Sequence, residues 1–128
     1  MSQPSCEDRI DAQLSSTIET VRARWDSYCK GEEDTEEGTI HEYGLSFDYN
    51  EDKDCFIWLL SWGGPQDEFR FFCDLGYNVY RIEYGFLDWF DGATVKLSGS
   101  DNELLEEIWN WFEECGSPQA EYEKAVAC

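Results

Sequence analysis

The sequence predicts an α+β fold: a meander of about five antiparallel strands with one N-terminal helix and two C-terminal helices packed on it. Three observations predict it. Apolar residues recur at helical spacing over about the first thirty residues, change to a period of two between about 39 and 98, and return to helical spacing from about 100. A chain of 128 residues fits one domain, 1–128, around a single core.

The first helix is predicted over about residues 5–30. Ser5 with Asp8 stands in capping-box position, and Ile10, Leu14, Ile18, Val21, Trp25 and Cys29 form one stripe with Glu7, Asp11, Glu19 and Asp26 on other faces. Gly31 stops the helix, and Glu32, Glu33, Asp34, Glu36 and Glu37 follow as an acidic loop closed by Gly38.

From Ile40 the residues Tyr43, Leu45, Phe47 and Tyr49 point one way while Glu42, Ser46 and Asp48 point the other, the pattern of a half-buried strand. Cys55 to Trp62 is apolar on both faces and suits a central strand, broken by Gly63, Gly64 and Pro65. In the third strand Phe69, Phe71 and Cys73 alternate with Glu68, Arg70 and Asp74. Gly76-Tyr77-Asn78 turns the chain into Val79 to Phe90, where Tyr80, Ile82, Tyr84 and Phe86 share a face. Asp91-Gly92 reads as a type I′ hairpin turn that pairs Phe90 with Ala93 and starts the fifth strand, Ala93 to Leu97.

Ser100 with Glu103 forms a second capping box. Leu104, Leu105, Ile108, Phe112 and Cys115 give the stripe of a helix over about 100–115, ended by Gly116. Ser117 caps a last short helix, about 117–127, with Pro118 at its first position.

The charge limits what the chain can touch. Nine Lys plus Arg against 29 Asp plus Glu give a formal net charge of -20. B-DNA carries one charge per roughly 1.7 Å, so twenty correspond to about 34 Å of duplex. A compact domain of this length is about 35 Å across. Such a surface repels nucleic acid and anionic membranes and is steered toward basic clefts. It is not a disordered acidic tail, because 41% of the residues are hydrophobic and 16% aromatic. No window reaches the ~20 consecutive apolar residues of a membrane span.

Cys6, Cys29, Cys55, Cys73, Cys115 and Cys128 are widely and irregularly spaced, without the CxxC of a structural zinc site, and no secretory apolar segment follows Met1. The expectation is a cytoplasmic protein with free thiols and no cofactor. His41 is the only histidine and sits in strand alternation beside Glu42, as a surface imidazole. There is no GxxxxGK[ST], GxGxxG or HExxH, and with so many acids a chance pair of carboxylates carries no catalytic meaning. No enzymatic activity is expected. Asp48 to Asp54 begins like a calcium loop but has Lys53 where an EF-hand needs Gly and Leu59 where it needs Glu. Trp25, Trp58 and Trp109 fall on core stripes, while Trp62, Trp89 and Trp111 are candidates for interface area. With no basic groove beside them, the aromatics are not a base-stacking platform.

The candidate partner-binding residues are the acids of loops and strand faces: Glu32, Glu33, Asp34, Glu36, Glu37, Asp48, Glu51, Asp52, Asp67, Glu68, Asp74, Glu83, Asp88 and Asp91. Strand residues i and i+2 lie ~6.8 Å apart, so carboxylates on one face can resemble a run of phosphates.

The run Leu60-Ser61-Trp62-Gly63-Gly64-Pro65-Gln66-Asp67-Glu68-Phe69-Arg70-Phe71, with Tyr80 to Tyr84 and Leu87 to Gly92, is similar to small proteins carried on proteobacterial mobile elements. In size and acidity the chain resembles the DNA-mimic anti-defence proteins of phages and mobile elements, anti-CRISPR and antirestriction proteins. The resemblance implies a partner that is a basic DNA-binding protein or nucleoprotein complex, foremost a CRISPR effector such as a type I surveillance complex, blocked by competition with target DNA. Such mimics share charge and size more than sequence, so the resemblance assigns no single residue. Two other classes share the acidity: an immunity protein or antitoxin against a basic nuclease, and a protein of a halophile.

Overall fold

The computed structural model describes residues 6–31, 46–61, 66–88 and 91–126. The elements follow in the order α1 (Cys6–Cys29), β1 (Ser46–Asn50), β2 (Cys55–Ser61), β3 (Gln66–Cys73), β4 (Val79–Asp88), β5 (Asp91–Lys96), α2 (Gly99–Glu114) and α3 (Ser117–Val126). The five strands neighbour one another in chain order, every pair antiparallel. This is the predicted α+β meander with one helix before it and two after. Residues 40–45 of the predicted first strand, Ser5, His41, Trp62, Trp89 and Phe90 lie outside the described residues.

Strand alternation decides which face meets the helices. Phe47 and Tyr49 of β1, Phe56, Trp58 and Leu60 of β2, Phe69 and Phe71 of β3, Ile82, Tyr84 and Phe86 of β4 and Val95 of β5 share one face, in register across the sheet. Trp109 of α2 fills its centre, with ring centroids 5.2 Å from Phe71 and 5.4 Å from Phe56. Its Nε1 donates to the Tyr77 carbonyl at 2.9 Å. Phe112 stacks on Phe47 at 4.5 Å, and Tyr122 of α3 meets Tyr49 edge-on at 5.1 Å. Ile10, Ile18, Val21 and Trp25 place α1 on the same core, where the Trp25 indole donates to Glu107 of α2 at 3.0 Å.

Four details depart from the sequence expectation. The last hairpin pairs Asp88 with Asp91 and Phe86 with Ala93, so Asp91-Gly92 belongs to β5 and is not the turn. An even shift keeps every side chain on its face, and it lets Leu87 close over Gly92, where an added Cβ would lie 2.9 Å from Leu87 Cδ2. At α2 the N-cap is Ser98, in extended conformation and with no side-chain cap bond, so the Ser100 capping box does not form. Cys29 and Cys115, placed on core stripes by spacing, are exposed at the ends of their helices. Tyr80, counted with the core face of β4, is 69% exposed because it lies at the end of the sheet. Gly31 and Gly116 do end their helices as expected, at φ 78° and 79°.

One polar tie crosses the core. Asp67, 5% exposed, accepts hydrogen bonds from the hydroxyls of Tyr84 (2.7 Å), Thr17 (3.3 Å) and Ser61 (2.5 Å), joining α1 to three strands' worth of sheet through one carboxylate. Hydrogen bonds to a charged group are worth about 1.5–3 kcal/mol. Tyr84→Phe is therefore expected to lower the unfolding free energy by about that amount in urea titration, with the slope of the transition unchanged.

Candidate partner-binding surfaces

The second sheet face, away from the helices, is where alternation sends the strand acids. Glu68, Arg70, Arg81 and Glu83 lie there on β3 and β4, with Ile57 and Leu59 of β2 and Lys96 of β5 alongside. These acids do not form a free anionic row. Glu68, 3% exposed, takes Arg70 Nε at 2.7 Å and Gln66 Nε2 at 3.0 Å. Glu83, 7% exposed, is bonded by Arg81 and stands opposite Arg70 and Lys96 across the sheet. The Arg70 guanidinium lies over Gly85, whose missing side chain makes the room: a Cβ would sit 3.0 Å from Arg70 Nη2. Together with Asp67, three of the candidate partner-binding acids are thus buried and satisfied inside the protein. The reason is local: each has hydroxyl or guanidinium donors one or two residues away in space, and a buried carboxylate persists only when so partnered.

The remaining candidates separate into two ends of the sheet. Glu51 and Asp52 are exposed in the β1–β2 turn, with Asp48 on the adjacent strand and Asp74 in the β3–β4 turn at the same end. Asp74 is held below the ordinary carboxylate range by the backbone amide of Asn78 first and that of Gly76 next. Asp88 and Asp91 face each other at the opposite end, the length of the ten-residue β4 away, about 30 Å. Asp88 is ion-paired with Arg9 of α1. Glu32, Glu33, Asp34, Glu36 and Glu37 lie outside the described residues.

A more continuous anionic surface runs along α2, which sequence reasoning used only for its apolar stripe. Glu103, Glu106, Glu107 and Glu114 are exposed on the face opposite Leu104, Leu105 and Ile108, over about 16 Å of helix. That length matches about five phosphates of one DNA strand. Helical spacing of the acids at i, i+3, i+4 and i+11 was the available signal. No Lys or Arg occurs in α2, and Glu113 and Glu114 crowd its last turn, where the helix dipole disfavours negative charge. The exposed Cys29 thiol at the end of α1 is pushed up by partial desolvation first and then by the carboxylates of Glu107 and Asp26.

Of nine basic side chains, Arg9, Arg22, Arg70, Arg81 and Lys124 are ion-paired within the protein. Among the described residues no group of three or more His, Cys, Asp or Glu side chains is placed to hold a metal ion, and no helix is long and apolar enough to cross a membrane. No protein-family model matches the chain, and comparison with curated proteins and with solved structures gives no match.

Two measurements follow from the buried groups. Arg70→Met leaves Glu68 buried without its cation and is expected to cost about 3–5 kcal/mol in urea unfolding, most of it recovered by adding Glu68→Leu. Cys55 and Cys73 are pushed up to about 11 from the ordinary 9.0, burial being the main cause. The unfolded thiols ionise near 9 while the folded ones stay protonated, so their contribution is intact below pH 9 and is lost as pH rises toward about 11. The urea midpoint is expected to fall between those values, and to fall less in Cys55→Ala/Cys73→Ala.

Proposed function

We propose that the protein is an acidic DNA-mimic inhibitor: it binds the basic nucleic-acid-binding surface of a host defence complex, a CRISPR effector foremost, and blocks engagement of target DNA. It acts by occupancy and performs no catalytic step. The observation that supports this most is the row Glu103, Glu106, Glu107 and Glu114 on α2, a helix with no Lys or Arg of its own, on a chain of net charge -20. Acids packed into the last helical turn reduce helix stability, and a feature that breaks a local stability rule without a compensating contact points to a role in binding.

Basic clefts that hold DNA release counterions when an anionic ligand enters, and the α2 face supplies fixed carboxylates in place of phosphates. Because the helix is bolted to the sheet through Trp109, those carboxylates are presented with little ordering left to do on binding. The partner's own charge supplies the attraction, and rising salt weakens it.

Displacement of a labelled DNA duplex from a purified type I CRISPR surveillance complex, and in parallel from a restriction enzyme, tests this across a salt series. Displacement that declines with salt is expected from one of the two. Glu103→Lys/Glu106→Lys/Glu114→Lys is expected to weaken it at least about tenfold, roughly 0.5 kcal/mol per reversed charge, while leaving thermal stability unchanged or higher. Absence of displacement from both at low salt, or a folded triple variant as potent as the parent, overturns the proposal.

A further inference from the structure

At the end of the sheet formed by the β1–β2 and β3–β4 turns, a cleft of about 420 Å³ opens between the two turns and α3. Its lining includes Tyr49, Tyr77, Tyr80 and Tyr122, with the carboxylates of Asp54 and Asp74; no Lys or Arg lines it. The volume lies in the range of about 300–1,000 Å³ usual for clefts that hold a ligand group.

Each wall is fixed. Tyr49 meets Tyr122 edge-on at 5.1 Å and Phe56 at 5.0 Å, and its hydroxyl donates to Asp54 Oδ1. Oδ2 of Asp54 has no donor among the described residues. Asp74 Oδ1 accepts the amides of Gly76 and Asn78, and the Asp74 amide donates to the Asn78 carbonyl. Tyr77 adopts φ 63°, a conformation that costs a bulky residue about 1–3 kcal/mol, and the Trp109 indole holds its carbonyl. From this pinned turn Leu75 projects, 96% exposed, beside Tyr80.

We propose that this cleft seats an arginine side chain of a protein partner. Tyrosine faces attract a guanidinium through their quadrupole, and a planar cation can stack on a ring while its N–H groups reach a carboxylate. Asp54 offers an oxygen with no donor among the described residues, on the carboxylate that the Tyr49 hydroxyl bonds, and the charged side chains of the lining, Asp54 and Asp74, are both acidic. Leu75 and Tyr80 point to a protein as the source of that arginine, since an exposed leucine and tyrosine carried on a hydrogen-bonded turn beside the cleft offer apolar area that a protein surface can cover. None of Glu103, Glu106, Glu107 and Glu114 lines the cleft, and the inference stands whether or not the partner binds nucleic acid.

Titration of the ¹⁵N-labelled protein with N-acetyl-arginine methylamide, and separately with its neutral citrulline analogue, tests this by NMR without any partner protein. The arginine derivative is expected to shift the amides of Asp54, of the turn Asp74 to Tyr80 and of Tyr122 with millimolar affinity, and the citrulline derivative to bind at least about fivefold more weakly. Asp54→Asn keeps the backbone, because Asn tolerates the φ of 52° found there, and Tyr80→Ala removes an exposed ring. Each is expected to weaken arginine binding about two- to fivefold with the rest of the spectrum unchanged. Equal binding of citrulline, arginine shifts spread over α2 as strongly as over the cleft, or unaltered affinity in both variants overturns the proposal.

Discussion

Twenty excess negative charges repel one another across the whole body of this protein, and what holds them in place is the aromatic packing around Trp109. That one side chain touches Phe56 of β2 and Phe71 of β3 and donates to the Tyr77 carbonyl in the β3–β4 turn. Because α2 is fastened to the sheet by this face, its other face, with Glu103, Glu106, Glu107 and Glu114, is turned to solvent. Burying a Trp or Phe side chain is worth about 3–5 kcal/mol against truncation to Ala. Several such groups in contact outweigh a repulsion that water and salt partly screen. The same indole steadies the turn that builds the tyrosine cleft, so the two anionic surfaces share one support.

Charge is sorted by depth. The acids that go inside, Asp67, Glu68 and Glu83, each meet hydroxyls or guanidinium groups; Arg70 goes inside with Glu68, while Arg81 stays half exposed beside Glu83. Arg9 and Arg22 tie α1 to Asp88 and Asp101 in the same way. A soluble protein of ordinary function mixes both signs on its surface. Here acids outnumber bases 29 to 9.

The elements were legible because period is a strong signal: Ile10, Ile18, Val21 and Trp25 at helical spacing, and Phe69 and Phe71 or Tyr84 and Phe86 at spacing two, could each belong to only one kind of structure. The last hairpin was misplaced because Asp-Gly is a strong local turn signal. The fit of Leu87 over Gly92 and of Phe86 beside Ala93 is a tertiary effect invisible in the dipeptide. The acidic candidates were chosen as strand and loop carboxylates. Sequence cannot tell that Asp67 has Thr17 as a neighbour fifty residues away, nor that Glu68 has the Arg70 guanidinium folded back over Gly85. The α2 acids were readable by periodicity but were passed over, because the eye follows the apolar half of an amphipathic helix.

If the charged surface serves the proposed partner, on a body stabilised by its own core, the chain must fold without help from salt. Circular dichroism and urea unfolding at about 10 mM and about 1 M salt, where the Debye length is about 30 Å and about 3 Å, measure this directly. The account predicts a cooperatively folded protein at the lower concentration, moderately more stable at the higher one. A chain that is unfolded at about 10 mM and folds only as salt is added would contradict it, because its acidity would then serve solvation in brine and not recognition.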